Sequence, residues 1–185
     1  MASSFATKPF KLRINSGTLR GRFIHFNGTE VRPTKSTVRK TLFNWLRPSI
    51  RGAVCLDCFS GSGILAFEAI SEGASTVTCM DKNPDAIRGI EDNKKRMGVT
   101  GIDAKVHKFP KPLSSDHQFD LVFLDPPFDH EHIAVYLEWL LDSGCLKKGG
   151  VIYTEQPMPL QLEVLFSVGR HPNSLVSFTA TQSFP

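Results

Sequence analysis

The stretch FDLVFLDPPFDH, residues 119–130, sets an acid, two prolines and an aromatic ring at the end of an apolar run. Val122, Phe123 and Leu124 have the character of a buried strand, and Asp125, Pro126, Pro127 and Phe128 stop it. Proline offers no N–H to a sheet ladder, so two in a row forbid the strand from continuing. Such a quartet can hold an amino group. An exocyclic amine on a nucleobase is a poor nucleophile, because its lone pair is delocalised into the ring. Asp125 Oδ and the Pro126 carbonyl can each accept one of its N–H bonds and aim the lone pair. Pro127 stiffens the backbone that presents the carbonyl, and Phe128 offers a face to a splayed base. Taken alone, Asp-Pro-Pro is also good turn material, so the upstream sequence has to decide.

Upstream, LDCFSGSGILAFEA places Gly61, Gly63 and Ala66 in G-x-G-x-x-A spacing, with Asp81 20 positions after Gly61. This is formally a dinucleotide fingerprint, so an NAD-binding oxidoreductase is one reading. Two features oppose it. Asp57, Cys58, Phe59 and Ser60 separate the strand from the loop, whereas a pyrophosphate must sit directly on the helix N-terminus. A carboxylate at Asp57 also repels phosphate and suits an ammonium. S-adenosylmethionine carries an ammonium, a sulfonium and a ribose diol, and no phosphate. Asp57 for its amino-acid end and Asp81 for its ribose match that molecule. The plainer role for both acids is to cap the helices that follow.

These groups need a scaffold, and the alternation of the chain supplies one. AVCLD, STVTCMD and FDLVFLD read as strands, residues 103–107 as a weaker one, and GGVIYTEQ as another. Helical patterns lie between them: GSGILAFEAISEG, then NPDAIRGIEDNKKRMG with Asn83 as cap and Pro84 at the first helical position, then residues 130–143. Repeated βα units predict a parallel sheet with helices on both faces. Before them, residues 10–15 and 18–26 predict a small hairpin. A helix follows, capped by Thr34 or Ser36, with Val38, Leu42, Trp45 and Leu46 on one face and Pro48 as its end. The stretch from Ser167 onward fits closing strands or none.

Charge divides the chain at the same place. Residues 1–52 hold 11 of the 22 Lys and Arg against one acid, Glu30, a net +10, and the remainder is net −6. We therefore separate a basic N-terminal arm, 1–52, from a catalytic domain, 53–185. A one-signed arm on an acidic body is the footprint of a protein that docks on phosphates, with Arg20, Arg22, Arg32 and Arg39 as the expected contacts. The four cysteines lack the second pair that a zinc site needs and read as small buried hydrophobes; the six histidines show no metal spacing. No metal is expected. No apolar stretch approaches the ~20 residues of a membrane span, and the N-terminus lacks a secretory signal, so a cytoplasmic protein with no membrane partner is expected.

LDCFSGSG, MDKN and LDPPF, in this order and spacing, resemble class I S-adenosylmethionine-dependent methyltransferases that modify exocyclic amines. With LRGR and RPTKSTVRKTLFNWL added, residues 11–157 resemble the RsmD family, bacterial enzymes that methylate N2 of a guanine in the 16S RNA of the small ribosomal subunit. The resemblance implies a Rossmann-like, seven-stranded, mostly parallel sheet whose last strand is antiparallel, with a small N-terminal extension. It implies S-adenosylmethionine held by Asp57, Phe59, Gly61, Gly63, Asp81, Lys82 and Thr34. Asp125, Pro126, Pro127 and Phe128 become the catalytic clamp, and a monomer acting on the small subunit or its assembly intermediate the working form. The chain departs from the family pattern in DAKVHKFPKPL, where an acidic or amide side chain is usual beside the adenine, and in its tail, which lacks a basic closing strand. Adenine-N6 methylation of DNA or RNA is the competing activity. It uses a similar clamp but generally needs a target-reading domain larger than this arm.

Overall fold

In this computed structural model, residues 10–26, 34–113, 118–126, 133–157, 160–167 and 175–181 are described, with side chains up to Thr154. Hydrophobic alternation builds the centre. Strands β3 (Val54–Asp57), β4 (Thr76–Asp81), β5 (Ile102–Val106), β6 (Phe119–Leu124) and β7 (Leu146–Pro157) pair in parallel, in the order β5-β4-β3-β6-β7. Their residues face alternately to two cores, as the two-residue period of a strand requires. Cys55, Val77, Cys79, Leu121 and Phe123 lie in one, and Leu56, Met80, Val122 and Leu124 in the other. The first core is covered by α1 (Ser36–Ile50), α2 (Ile64–Ser71) and α3 (Pro84–Met97), and the second by α4 (Ile133–Asp142).

The sheet's far edge differs from expectation. The parallel part has five strands, fewer than the mostly parallel seven expected, and β8 (Leu160–Ser167) and β9 (Leu175–Thr181) extend it as an antiparallel meander. The reversed strand is therefore the penultimate one, because β9 turns back a second time. A second correction concerns α1. Neither Thr34 nor Ser36 caps it: its N-cap is Lys35, without a side-chain bond, and Pro48 lies inside it. Proline in a last turn removes one hydrogen bond, and burial of Ile50 holds the helix two residues further. The start of α3 is as expected, with Asn83 accepting from the Asp85 N–H at 2.9 Å.

The basic arm is fastened to this body. Strands β1 (Phe10–Arg13) and β2 (Phe23–Phe26) pair antiparallel, and Ile14, Ile24, Val38 and Leu42 join the first core. Asn93 of α3 accepts from the His25 N–H at 2.8 Å and donates to its carbonyl at 2.5 Å. Gly17 has a positive φ of 74° and lies so close to Ser71 that a Cβ there would collide with the Ser71 carbonyl. Among the described residues, no helix is long and apolar enough to cross a membrane.

Candidate active site

The connections place three carboxylates together. From β3 the chain steps outward to β4 and β5, then returns across the sheet to β6 on the other side of β3. This reversal of direction opens a crevice at the carboxyl ends of β3 and β6, where open α/β sheets bind ligands. Asp57 is the last residue of β3 and lies in register with Cys79 and Phe123. Asp81 ends β4 and Asp125 follows β6, each two residues beyond the residue that lies in register with Asp57. All three acids thus share one edge.

Backbone bonds fix the loop between them. The Cys58 N–H donates to the Phe123 carbonyl at 3.0 Å, which ties the exit of β3 to β6. Ser60 ties it to β4: its hydroxyl donates to the Asp57 carbonyl at 2.9 Å and accepts from the Met80 N–H at 3.0 Å. Gly63, at φ 77°, begins α2, and a Cβ there would lie 2.7 Å from Ile90 Cγ1, so the position admits no side chain. Asp81 accepts the Gly61 N–H on one oxygen and the Asn83 N–H on the other, each at 2.8 Å. It caps neither helix. Each oxygen keeps further acceptor capacity, so an oriented carboxylate is presented beside the loop.

Asp57 is 3% exposed. Burial, then the Asp125 and Asp81 carboxylates, push its carboxyl well above the ordinary range, against an opposing Ser60 hydrogen bond. Among the described residues it has no ion pair. A cationic ligand would relieve that charge crowding, and the ammonium and sulfonium of S-adenosylmethionine are of the required sign. Phe59, half-buried on the loop, meets Phe109 at 5.2 Å and Tyr136 at 5.1 Å. Phe109 continues to His107 and Trp139 at 4.6 and 4.8 Å. The segment after β5, where the acidic or amide side chain is missing, thus packs a cluster of rings against the loop.

The remaining expected residues separate into groups. Pro126 is buried beside Asp125, while Pro127, Phe128 and Arg32 lie outside the described residues. Thr34 meets the clamp rather than the glycine loop, its hydroxyl donating to Asp125 Oδ2 at 3.5 Å. Lys82 is exposed beyond β4. Arg20 and Arg22 are exposed, Arg22 donating to the Met97 carbonyl at 3.0 Å. Arg20 lines a groove of about 440 Å³ between the hairpin and α1, together with Lys11, Arg13, Lys35 and Lys40.

Arg39 is a correction. It is 2% exposed and binds Glu68 Oε1 at 3.2 Å, the Thr34 carbonyl at 2.5 Å and the Arg13 carbonyl at 2.9 Å. Each of its three nitrogens is already bonded within the fold, so it forms part of the floor of that groove rather than an exposed docking side chain. Ser60 and Glu68 escaped the sequence reading. The signal for Glu68 was a lone charge in the apolar helix ILAFEAIS, which calls for a buried partner. All four cysteines are free and buried, and desolvation raises their thiols, Cys55 to about 12, far from a reactive thiolate.

Comparison with known proteins gives this arrangement relatives. The family described as conserved hypothetical protein 95 matches residues 12–170. The ribosomal RNA small subunit methyltransferase D of Haemophilus influenzae is 36% identical over 158 residues, 81% of this chain and 82% of that protein. Its counterpart in Buchnera aphidicola subsp. Acyrthosiphon pisum is 34% identical over 84% of this chain and 83% of that one. Among solved structures, Escherichia coli yhhF superposes with a TM-score of 0.72 at 33% identity, covering 79% of this chain and 81% of that one.

Proposed function

Since this chain belongs to the conserved hypothetical protein 95 family, that of the RsmD-type methyltransferases, we propose that it methylates the exocyclic N2 of a guanine in small-subunit ribosomal RNA. The observation that carries the reading is the convergence of Asp57, Asp81 and Asp125 on the switch point of the sheet. S-adenosylmethionine, the methyl donor of such enzymes, supplies an electrophilic methyl group on a sulfonium. Asp57 suits its ammonium, Asp81 its ribose hydroxyls, and the Gly61–Gly63 turn admits it close to the backbone. The rings of Phe59 and Phe109 offer an apolar wall for its purine.

Asp125 accepts an N–H from the target amine, and the Pro126 carbonyl accepts the other, so the lone pair points out of the base plane. Once nitrogen gains a fourth bond it must lose a proton, and Asp125 is the acceptor beside it. Phe128 is assigned to stacking on the base. Docking belongs to the arm, through Arg20, Arg22 and Arg32 with the basic groove beside them. Residues 1–52 thus act as the RNA-gripping unit and 53–185 as the catalytic one, in a cytoplasmic monomer.

The test is incubation with labelled methyl donor and small subunits, or their assembly intermediates, from a strain lacking the gene. The expected product is labelled N2-methylguanosine, and labelled N6-methyladenosine would transfer the clamp to adenine. Asp125→Ala should lower the rate by about 10²-fold or more while donor binding stays within a few-fold.

A further inference from the structure

Thr34 stands at the junction of the arm and the clamp. Its hydroxyl is 3.5 Å from Asp125 Oδ2, a long hydrogen bond of the kind that substrate binding can shorten. Its own backbone is held from behind: the Arg39 guanidinium donates to the Thr34 carbonyl at 2.5 Å and to the Arg13 carbonyl at 2.9 Å. Glu68 then holds Arg39 at 3.2 Å, and the Asn15 N–H donates to both Glu68 oxygens at 3.0 and 3.1 Å. A buried ion pair contributes little net stability against its desolvation cost, but it fixes geometry. Here the geometry it fixes is that of Thr34, the residue that touches the reacting carboxylate.

We propose that Thr34 is a positioning residue for methyl transfer, orienting Asp125 through its hydroxyl, and that the Glu68–Arg39 pair holds Thr34 in place. The inference rests on the amine-clamp reading of Asp125. A carboxylate that must accept an N–H from a planar amine has to keep its plane aligned with that bond, and it hangs on a two-torsion side chain at a strand end. The Thr34 hydroxyl on Oδ2 is one of the contacts that set that plane, and it is the one contributed by the arm. The arm therefore does more than grip phosphate: its last residues before α1 complete the catalytic wall.

The test compares Thr34→Val, Thr34→Ser and wild type in the full chain, measuring kcat, KM for RNA, donor-product binding and the melting temperature. Thr34→Val should lower kcat roughly 10-fold, with KM, product binding and melting temperature close to wild type. Thr34→Ser should recover kcat to within about 3-fold, since it restores the donor. In an Asp125→Asn background, followed by single-turnover labelling, Thr34→Val should have little further effect, because the two residues act as one unit. An unchanged kcat in Thr34→Val, a serine variant as impaired as valine, or equal losses in both backgrounds would overturn the inference. The identity of the labelled nucleoside tests the clamp reading separately. Rates are compared on whichever base carries the label, and a wild type that labels none overturns both.

Discussion

Glu68 and Asp57 are both buried acids, one on α2 and one at the end of the strand before it, and they have been given opposite company. Glu68 has Arg39 at 3.2 Å and the Asn15 N–H on both oxygens. Burial pushes its carboxyl up, and these donors act against that push. Asp57 is buried nearly as deeply, but the charges that act on it are Asp125 and Asp81, which push the same way as burial. An acid with its cation built in belongs to the architecture. An acid crowded by other acids would gain from a cation supplied from outside. That contrast is what the proposed donor-binding role of Asp57 requires.

The largest effect should come from breaking the self-contained side. Glu68→Gln leaves the Arg39 cation buried without its counter-charge, and should cost about 3–5 kcal/mol in a urea-unfolding measurement. A loss below about 1 kcal/mol would mean that water reaches the pair and that the contrast with Asp57 is false.

Asp57→Asn should do the reverse. The folded protein holds the Asp57 proton more tightly than the unfolded chain. The stability from this group is therefore fully present below its unfolded value of about 3.9, and is lost as pH climbs through the raised folded value. The asparagine variant escapes that loss, so without ligand it should be more stable than wild type at pH 7, with the gain disappearing near pH 3. Binding of S-adenosylhomocysteine by calorimetry should weaken by roughly 10- to 100-fold, as expected for a charge-assisted hydrogen bond. Stability and binding would then move in opposite directions, which a purely structural acid cannot produce.

The smallest effect sharpens the contrast at the surface. Arg20 and Arg22 are exposed, unlike Arg39, so replacing both with alanine should leave product binding unchanged and cost only about 1 kcal/mol of stability, from the lost Arg22–Met97 hydrogen bond. RNA affinity should fall, and its log–log salt slope flatten by roughly 0.7–0.9 per lost phosphate contact. An unaltered slope would remove these two cations from the docking surface.

The same contrast explains what the sequence disclosed. Asp57, Gly61, Gly63 and Asp81 lie within 25 residues, and their placement at one sheet edge follows from local order: strand, turn, helix, strand. Arg39 could not be separated from its neighbours that way, because in a run of cations all look alike and burial is decided by Glu68, 29 positions away. The contact of Thr34 with Asp125 could not be read from local order either, because it crosses 91 positions. Pro48 failed as a stop signal because tertiary burial of Ile50 outweighs one missing hydrogen bond. At β8 and β9, alternation marks strands but carries no direction, so the order of the meander was not legible.

Gly17 has a further consequence. With its backbone pressed on Ser71 and its neighbour Thr18 donating to the same carbonyl at 2.8 Å, the hairpin is seated on α2 rather than tethered to it. A tether lets the gripped RNA wander until any suitable base reaches the clamp. If the arm docks on RNA as proposed, a seated arm works as a ruler: it fixes the span between the phosphates it would hold and the amine to be methylated. For such an enzyme the target is specified by distance within a folded RNA, and an identical sequence at a different span is the wrong substrate.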